Sequence, residues 1–321
     1  MKTILTIHNI AYQGLFSKDE FSRLGLSNDL FSIDGLEFYD KINFLKGGMI
    51  FSDFITTVSP TYSKEIQTKE FGAGLEGVLS KRRDSLLGII NGLDYNLWDP
   101  LKDKLIFKQY SADSLNDKYV NKYELQKKCK LPQDKSIPMF GFVGRLAEQK
   151  GIDILSAAIK EIAKSNVQLV ILGTGDMKYH RILEDIANKF PKTVSVTLGF
   201  DNALAHQIYA GSDFFLMPSR YEPCGLGQMI SMKYATIPIG YTTGGLADTI
   251  INFDPIKNKG NGFLFDSYST ESLLEIMRKA ISFYKDKKTW SGLLNRALMS
   301  KFSWDESAKQ HIKLYERCLP R

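Results

Sequence analysis

At 321 residues, 43% hydrophobic and 24% charged, the chain is long enough for two domains that each bury a core, and its composition excludes wholesale disorder. No apolar run reaches the roughly 18–20 residues of a membrane span, and three distant cysteines (Cys129, Cys224, Cys318) exclude a disulfide framework, so a soluble chain in the reducing cytoplasm is expected, without a membrane partner. The net charge of +6 comes from 42 basic residues scattered among 36 acidic ones, which describes a solvated surface and not a nucleic-acid stripe, while still suiting phosphate-bearing small molecules.

In chain order, Ile4–His8 reads as a strand that begins almost at Met1. Helical patterning follows around Phe38–Phe51, then strands at Phe54–Val58 and Leu86–Ile90. Three short strands in about ninety residues make half a doubly wound sheet, so a first domain with its front missing is expected. From Ile137 the rhythm is clearer. Apolar runs at Ile137–Val143, Val167–Leu172, Val194–Leu198, Asp213–Pro218 and Ile237–Tyr241 alternate with helical segments at Ile152–Ala163, Asp176–Phe190, Ala203–Ala210 and Gly225–Ala235. A short helix after Thr243 completes the series. Continuous apolar strands alternating with helices predict a parallel sheet covered on both faces, with ligands at the carboxyl ends of its strands. Three helical segments close the chain: Thr270–Lys285, Lys287–Ser300 and Ser303–Leu319, the last opening on the capping-box residues Ser303 and Glu306.

Four strand-to-helix turns carry chemistry-bearing residues. In the first, Arg145 and Lys150 are five apart and could reach one anion, a fork and a point charge, although such a pair is more often simply solvated. The second, Gly173-Thr174-Gly175, permits close backbone approach and equally suits a plain turn. In the third, Ser219-Arg220-Tyr221-Glu222-Pro223-Cys224-Gly225-Leu226-Gly227, glycines open a helix that could receive a phosphate, with Glu222 placed to meet an attached sugar; the alternative is a turn with a solvent-facing Glu. Thr243-Gly244-Gly245 repeats the logic one unit later, and two such helix starts could embrace a diphosphate. The four histidines are isolated, and no His/Cys cluster has metal-ligand spacing, so no metal or cofactor is expected; His180, His206 and His311 lie in helical patterns as surface or packing residues.

These stretches, with Thr6-Ile7-His8-Asn9-Ile10-Ala11-Tyr12-Gln13-Gly14, Asp34-Gly35-Leu36-Glu37-Phe38-Tyr39, Thr57-Val58-Ser59-Pro60-Thr61-Tyr62, Phe71-Gly72-Ala73-Gly74-Leu75-Glu76-Gly77, Ile90-Asn91-Gly92-Leu93-Asp94 and Thr243-Gly244-Gly245-Leu246-Ala247-Asp248, resemble bacterial glycogen synthase and plant starch synthase in unbroken order along the chain. The resemblance implies an α/β, GT-B-type fold: two Rossmann-like doubly wound domains, here with the N-terminal one incomplete. It implies transfer of glucose from ADP-glucose to the non-reducing end of an α-1,4-glucan, with the anomeric configuration retained. Carried over by position, Arg145 and Lys150 neutralise the donor diphosphate, and Glu222 contacts the transferred glucose. Cys224 lies near the active site, and Gly225, Leu226 and Gly227 with Thr243, Gly244 and Gly245 form the phosphate-facing turns. Phe200 stacks on the nucleotide base. His8, Asn9 and Asn91 contact sugar from the N-terminal domain, the His8 carbonyl near the developing positive charge.

Two departures stand out. Gly227 occupies a position where many relatives carry a Thr or Asn that hydrogen-bonds near the phosphates. The Lys-x-Gly-Gly-Leu loop and a following acidic residue that the resemblance implies are not found, and Lys46-Gly47-Gly48, followed by Met49 in a helical context, is not a substitute. The expected division is residues 1–94 as the remnant of the acceptor-side domain, 95–302 as the nucleotide-sugar domain and 303–321 as a helix crossing back to the first. Two functions stay open: a glucosyltransferase, weak or inactive as this polypeptide alone and with a separate N-terminal half as a further partner, or a non-catalytic nucleotide- or glucan-binding remnant or subunit.

Overall fold

The computed structural model describes residues 1–319. The chain divides into two compact units, Met1–Asn91 with the chain from Ser307 onward, and Gly92–Glu306.

The first unit opens with β1 (Ile4–Ile7). A small antiparallel sheet follows, built from β2 (Leu15–Ser17), β3 (Glu37–Phe38) and β4 (Lys41–Asn43) in the order β2-β4-β3. Then come α1 (Phe44–Phe51), β5 (Phe54–Thr57), α2 (Pro60–Glu65), α3 (Glu76–Lys81) and β6 (Leu86–Gly88). Strands β1, β5 and β6 pair in parallel in that order. The helical pattern expected over Phe38–Phe51 holds only from Phe44. Tyr39 and Asp40 both adopt positive φ, 50° and 61°, and turn the chain tightly between β3 and β4. Non-glycine residues rarely supply such a turn, so its usual sequence signal is absent. Asn43 caps α1 by accepting from the Lys46 amide, and Arg82 closes its far end by donating to the carbonyls of Met49, Ile50, Ser52 and Asp53. Lys46 is buried, its ammonium held by the carbonyls of Ile33 and Glu37.

The second unit begins its regular structure with α4 (Lys118–Lys128) and β7 (Met139–Val143). It continues through α5 (Ile152–Ile162), β8 (Gln168–Gly173), α6 (Met177–Lys189), β9 (Val194–Leu198), α7 (Asn202–Gly211) and β10 (Phe214–Met217). Next are α8 (Gly227–Lys233), β11 (Ile237–Tyr241), α9 (Gly244–Thr249), β12 (Phe263–Phe265), α10 (Thr270–Lys285) and α11 (Lys287–Leu298). Its sheet is parallel and six-stranded, in the order β12-β11-β10-β7-β8-β9. The chain therefore starts at the centre, builds outward to β9, and returns to build the other flank from β10. Ligand crevices form where that direction switches, beside the carboxyl ends of β7 and β10. Phe140 of β7 stacks on Phe214 of β10 with ring centroids 4.9 Å apart, and Trp290 of α11 packs on Phe214 at 5.1 Å.

Polar groups are also buried in this unit. His206 of α7 donates from Nδ1 to Asp103 Oδ2 over 2.7 Å, the Tyr234 hydroxyl donates to the same oxygen, and Trp98 stacks on the imidazole. Burial pushes the Asp103 carboxyl up, but hydrogen bonds from His206, Tyr234 and the Leu105 amide outweigh it and hold the group below its ordinary value. His206 is thus a core residue, whereas His180 is half-buried and accepts from the Gly175 amide at 3.1 Å.

The final helix, α12 (Trp304–Cys318), belongs to the first unit from Ser307 on. There Leu314 is buried and the Arg317 guanidinium lies over the Phe54 ring. Among the described residues no helix is long and apolar enough to cross a membrane.

Candidate functional site

The loops after β7 and β10 are fastened to each other, and this brings distant residues together. The Arg220 amide donates to the Gln149 carbonyl at 2.9 Å, and Gln149 Nε2 reaches the Tyr221 carbonyl. Gly151 sits at φ +74°, and a β-carbon there would stand 1.9 Å from the Pro218 carbonyl oxygen, so only glycine permits this approach. The result is a salt bridge across 72 residues of chain: Lys150 Nζ lies 2.6 Å from Glu222 Oε2. The Ser219 hydroxyl donates to the same oxygen at 2.9 Å. Glu222 is 5% exposed and is therefore not a solvent-facing carboxylate.

The glycines at the start of α9 shape this loop further. A β-carbon on Gly244 would fall 2.0 Å from the Glu222 carbonyl oxygen, and one on Gly245 the same distance from that of Cys224. The Gly245 amide itself donates to the Glu222 carbonyl. Thr243 and Cys224 are both buried here, and the fully buried Gln228 amide group serves the carbonyls of Cys224 and Gly225 and the Thr249 hydroxyl. Helix α8 begins at Gly227, two residues later than expected, and α8 and α9 have seven and six residues. What they present is a few local amides, because so short a helix sums little dipole.

Two cavities open on these loops. One of about 500 Å³ lies between the ends of β7, β8 and β9, lined among others by Val143, Arg145, Thr174, Phe200, Asn202 and Ala205. Phe200 stands at its rim, 91% exposed, and Arg145 projects from the β7 loop, with Nη2 on Gln149 Oε1. The second, of about 110 Å³, holds Lys150, Tyr209, Ser219, Glu222, Leu226 and Gly227, and shares Val143 and Gly144 with the first. The glycines at 173 and 175 let the β7 and β8 loops touch: β-carbons there would meet the carbonyl oxygens of Gly144 and Leu146 at 2.1 and 2.3 Å. Cationic and carboxylate side chains thus line a small polar cavity that adjoins, across Val143 and Gly144, a larger apolar one bearing an exposed ring, a layout suited to an anion linked to a flat apolar group.

Arg145, Lys150, Phe200, Glu222, Cys224 and the glycine turns therefore converge in one unit. His8, Asn9 and Asn91 lie in the other, beyond the carboxyl ends of β1 and β6 in its parallel sheet. His8 is exposed and Asn9 half-buried, its side chain accepting from the Ala11 amide. Sequence reasoning assigned no role to Ser219 and Gln228, although both stand in or beside the third turn's motif, and did not mark Tyr209 on α7; a single hydroxyl or amide has no pattern until the fold buries it. Among the described residues no group of His, Cys, Asp or Glu could hold a metal ion.

Known proteins resemble the chain along its length. The family described as "Starch synthase catalytic domain" matches residues 1–81, and "Glycosyl transferases group 1" matches residues 122–291. The glycogen synthase of Thermosipho melanesiensis is 52% identical over 320 residues, covering 99% of this chain and 66% of that protein. The glycogen synthase of Fervidobacterium nodosum is 50% identical, covering 98% and 65%. The chain thus spans just under two thirds of the length of these curated relatives. Among solved structures, the catalytic domain of Starch Synthase IV from Arabidopsis thaliana, bound to ADP and acarbose, is 36% identical with a TM-score of 0.93, covering 98% of this chain and 66% of that one. Sucrose-phosphate synthase from Thermosynechococcus elongatus shares the fold alone, at 20% identity and a TM-score of 0.62, with 98% and 67% covered. The architecture is GT-B-like and, on the extent of these matches, the chain belongs to the group 1 glycosyl transferases, with glycogen synthases as its matching curated relatives.

Proposed function

We propose that the chain carries the donor site of a retaining glucosyltransferase that moves glucose from ADP-glucose to the non-reducing end of an α-1,4-glucan. The observation that carries this reading is the Lys150–Glu222–Ser219 cluster in a cavity that shares a wall with the larger one edged by Phe200. In that arrangement the diphosphate lies against Arg145 and Lys150, the adenine against Phe200, and the glucose against Glu222. As the bond from the anomeric carbon to the phosphate oxygen breaks, negative charge grows on the leaving diphosphate, and fixed cations stabilise it without reorganising. The acceptor hydroxyl forms the new bond on the same face of the sugar, and its proton leaves with the nucleoside diphosphate. Likeness to a starch synthase catalytic domain bound to ADP and acarbose supports the nucleotide and the glucan as ligands.

In this reading, residues 95–302 are the nucleotide-sugar domain, residues 1–94 supply the acceptor side through His8, Asn9 and Asn91, and residues 303–321 return to the first domain. The domains are doubly wound and Rossmann-like, the first with three parallel strands among its described residues. Glucan synthesis by the 321-residue polypeptide assayed alone is expected to be weak, because no Lys-x-Gly-Gly-Leu stretch occurs within it. Incorporation of labelled glucose from ADP-glucose into glycogen tests this, with a version preceded by a relative's N-terminal segment as comparison. Full turnover by the unaided polypeptide would overturn it.

The phosphate assignment is tested by calorimetry with ADP and with adenosine. Lys150→Ala and Arg145→Ala are each expected to weaken ADP binding by about one to two decades, the worth of a charge-assisted contact, while adenosine binding holds. Equal losses for both ligands would place the effect in folding, and no saturable heat from ADP with the unaltered protein at millimolar ligand would sink the donor-site reading.

A further inference from the structure

The Tyr209 hydroxyl faces the small cavity and is not explained by packing. Tyr209, on α7, is 5% exposed, and its ring is fixed by Phe215 at 4.7 Å, Trp98 at 5.7 Å and Tyr234 at 6.3 Å between centroids. It lines the cavity together with Lys150, Ser219 and Glu222. Tyr110, Tyr234, Tyr268 and Tyr284, which are also buried or half-buried, each donate to a carbonyl or a carboxylate. Tyr209 has no hydrogen-bond partner among the described residues. The Tyr209 hydroxyl is not among the fully buried polar atoms that lack a partner, so it opens to the cavity, where the fixed ring holds a donor within reach of a ligand.

Position 227 adds a second observation. A β-carbon on Gly227 would stand 3.4 Å from the Tyr209 hydroxyl, 3.3 Å from Met217 Sδ and 2.9 Å from the Phe215 ring. The tyrosine therefore occupies the space into which a side chain at 227 would grow, and its hydroxyl is the polar group delivered beside the first residue of α8. Burial pushes the phenol up from its ordinary value, so it stays protonated and acts as a donor across the neutral range. The cavity's volume of about 110 Å³ is room for a group of three or four water volumes, at about 30 Å³ each. It offers the Lys150 ammonium, which keeps protons beyond the one on Glu222, and the Tyr209 hydroxyl, whereas the single Ser219 proton and one carboxylate oxygen are engaged with each other.

We propose that the Tyr209 hydroxyl is a phosphate ligand of the nucleotide donor, gripping from the α7 side the same phosphate group that Lys150 meets from the β7 loop. This rests on the donor-site reading above and adds to it a binding residue and the reason for a glycine at 227. The contact would be made to the diphosphate and not to the nucleoside, so it discriminates ligands by their phosphate.

The test is calorimetry with ADP, inorganic pyrophosphate and adenosine on the unaltered chain and on Tyr209→Phe. The substitution removes only a hydroxyl that has no partner in the fold, so the melting temperature is expected to hold or rise. ADP and pyrophosphate are expected to bind about ten-fold or more weakly, as for loss of a hydrogen bond to a charged group, with adenosine unchanged. Unchanged ADP affinity in Tyr209→Phe, with the unaltered chain binding ADP, would overturn the role of Tyr209 and leave the donor site standing. Equal weakening of adenosine would also overturn it, by assigning the effect to ring packing. Failure of the unaltered chain to bind ADP at all would instead overturn the donor-site reading on which the role rests.

Discussion

Lys122→Met is expected to lower the melting temperature of the second unit by roughly 10 °C, from a cost of about 3–5 kcal/mol in a unit of this size. Lys122 and Asp213 have side chains 1% and 4% exposed, and they meet at 2.6 Å between Nζ and Oδ2. The ammonium also donates to the carbonyls of Lys135 and Ile137 and lies 2.9 Å from the Tyr284 hydroxyl. Asp213 Oδ2 accepts in addition from the Met139 amide, and the Asp213 amide donates to the Met139 carbonyl. The pair therefore fastens α4 to the entrances of β7 and β10, the two strands between which the sheet switches direction. Methionine fills the volume but leaves a buried carboxylate with one amide donor, and that uncompensated charge is the source of the cost. Lys122→Met combined with Asp213→Leu buries no charge and is expected to recover much of the loss. Thermal unfolding followed by near-ultraviolet circular dichroism reads both. A single variant within 2 °C of the unaltered protein would mean that the charge is relieved by water, contrary to its burial.

The central strands were legible because they are buried on both faces: Met139–Val143 and Phe214–Met217 read as unbroken apolar runs, the pattern of strands in a sheet covered on both sides, and their alternation with helical segments pointed to a parallel one. Strands β3 and β12, of two and three residues, carry too little sequence to show a period. The turn at Tyr39-Asp40 was hidden because its left-handed backbone is held by tertiary contacts, the Asp40 amide on Glu37 and the Asp40 carboxylate on Lys18. The motif residues could be named one by one, and their union followed from the family resemblance and not from their spacing. Lys150 and Glu222 meet because Gly151 and Arg220 fasten two loops, a contact that no local spacing encodes. The glycines at 244 and 245 looked like phosphate-facing amides. In the structure they permit a near-contact with the Glu222–Cys224 backbone, a demand that comes from the neighbouring loop. Tyr209 lies in a helix whose residues are almost all buried, and no sequence signal sets it apart from its packing neighbours.

Glu222→Gln is expected to reduce glucose transfer from ADP-glucose by at least about 10²-fold, the typical cost of losing one preorganised electrostatic contact, and at the same time to leave ADP binding unchanged or tighter. The two effects separate because the carboxylate faces two partners. Its Oε2 holds the Lys150 ammonium and the Ser219 hydroxyl, so in the empty site the cation proposed for the diphosphate is partly neutralised. Glutamine keeps the length and still accepts from Ser219, but it releases the ammonium and removes a negative charge from beside the phosphate position. ADP has no glucose to lose, so its binding gains from both changes. ADP-glucose loses the group proposed to hold its sugar while positive charge develops at the anomeric carbon. Lys150→Ala, by contrast, is expected to weaken ADP and ADP-glucose together. Opposite shifts in ADP affinity from the two substitutions would exclude a common folding defect, since damage to the shared loops would move both the same way. The rate is read as labelled glucose entering glycogen in the version preceded by a relative's N-terminal segment, with and without the substitution, and the affinity by calorimetry. A Glu222→Gln protein that binds ADP as poorly as Lys150→Ala would show that the ion pair itself builds the phosphate site, and the division of labour between the two residues would have to be abandoned.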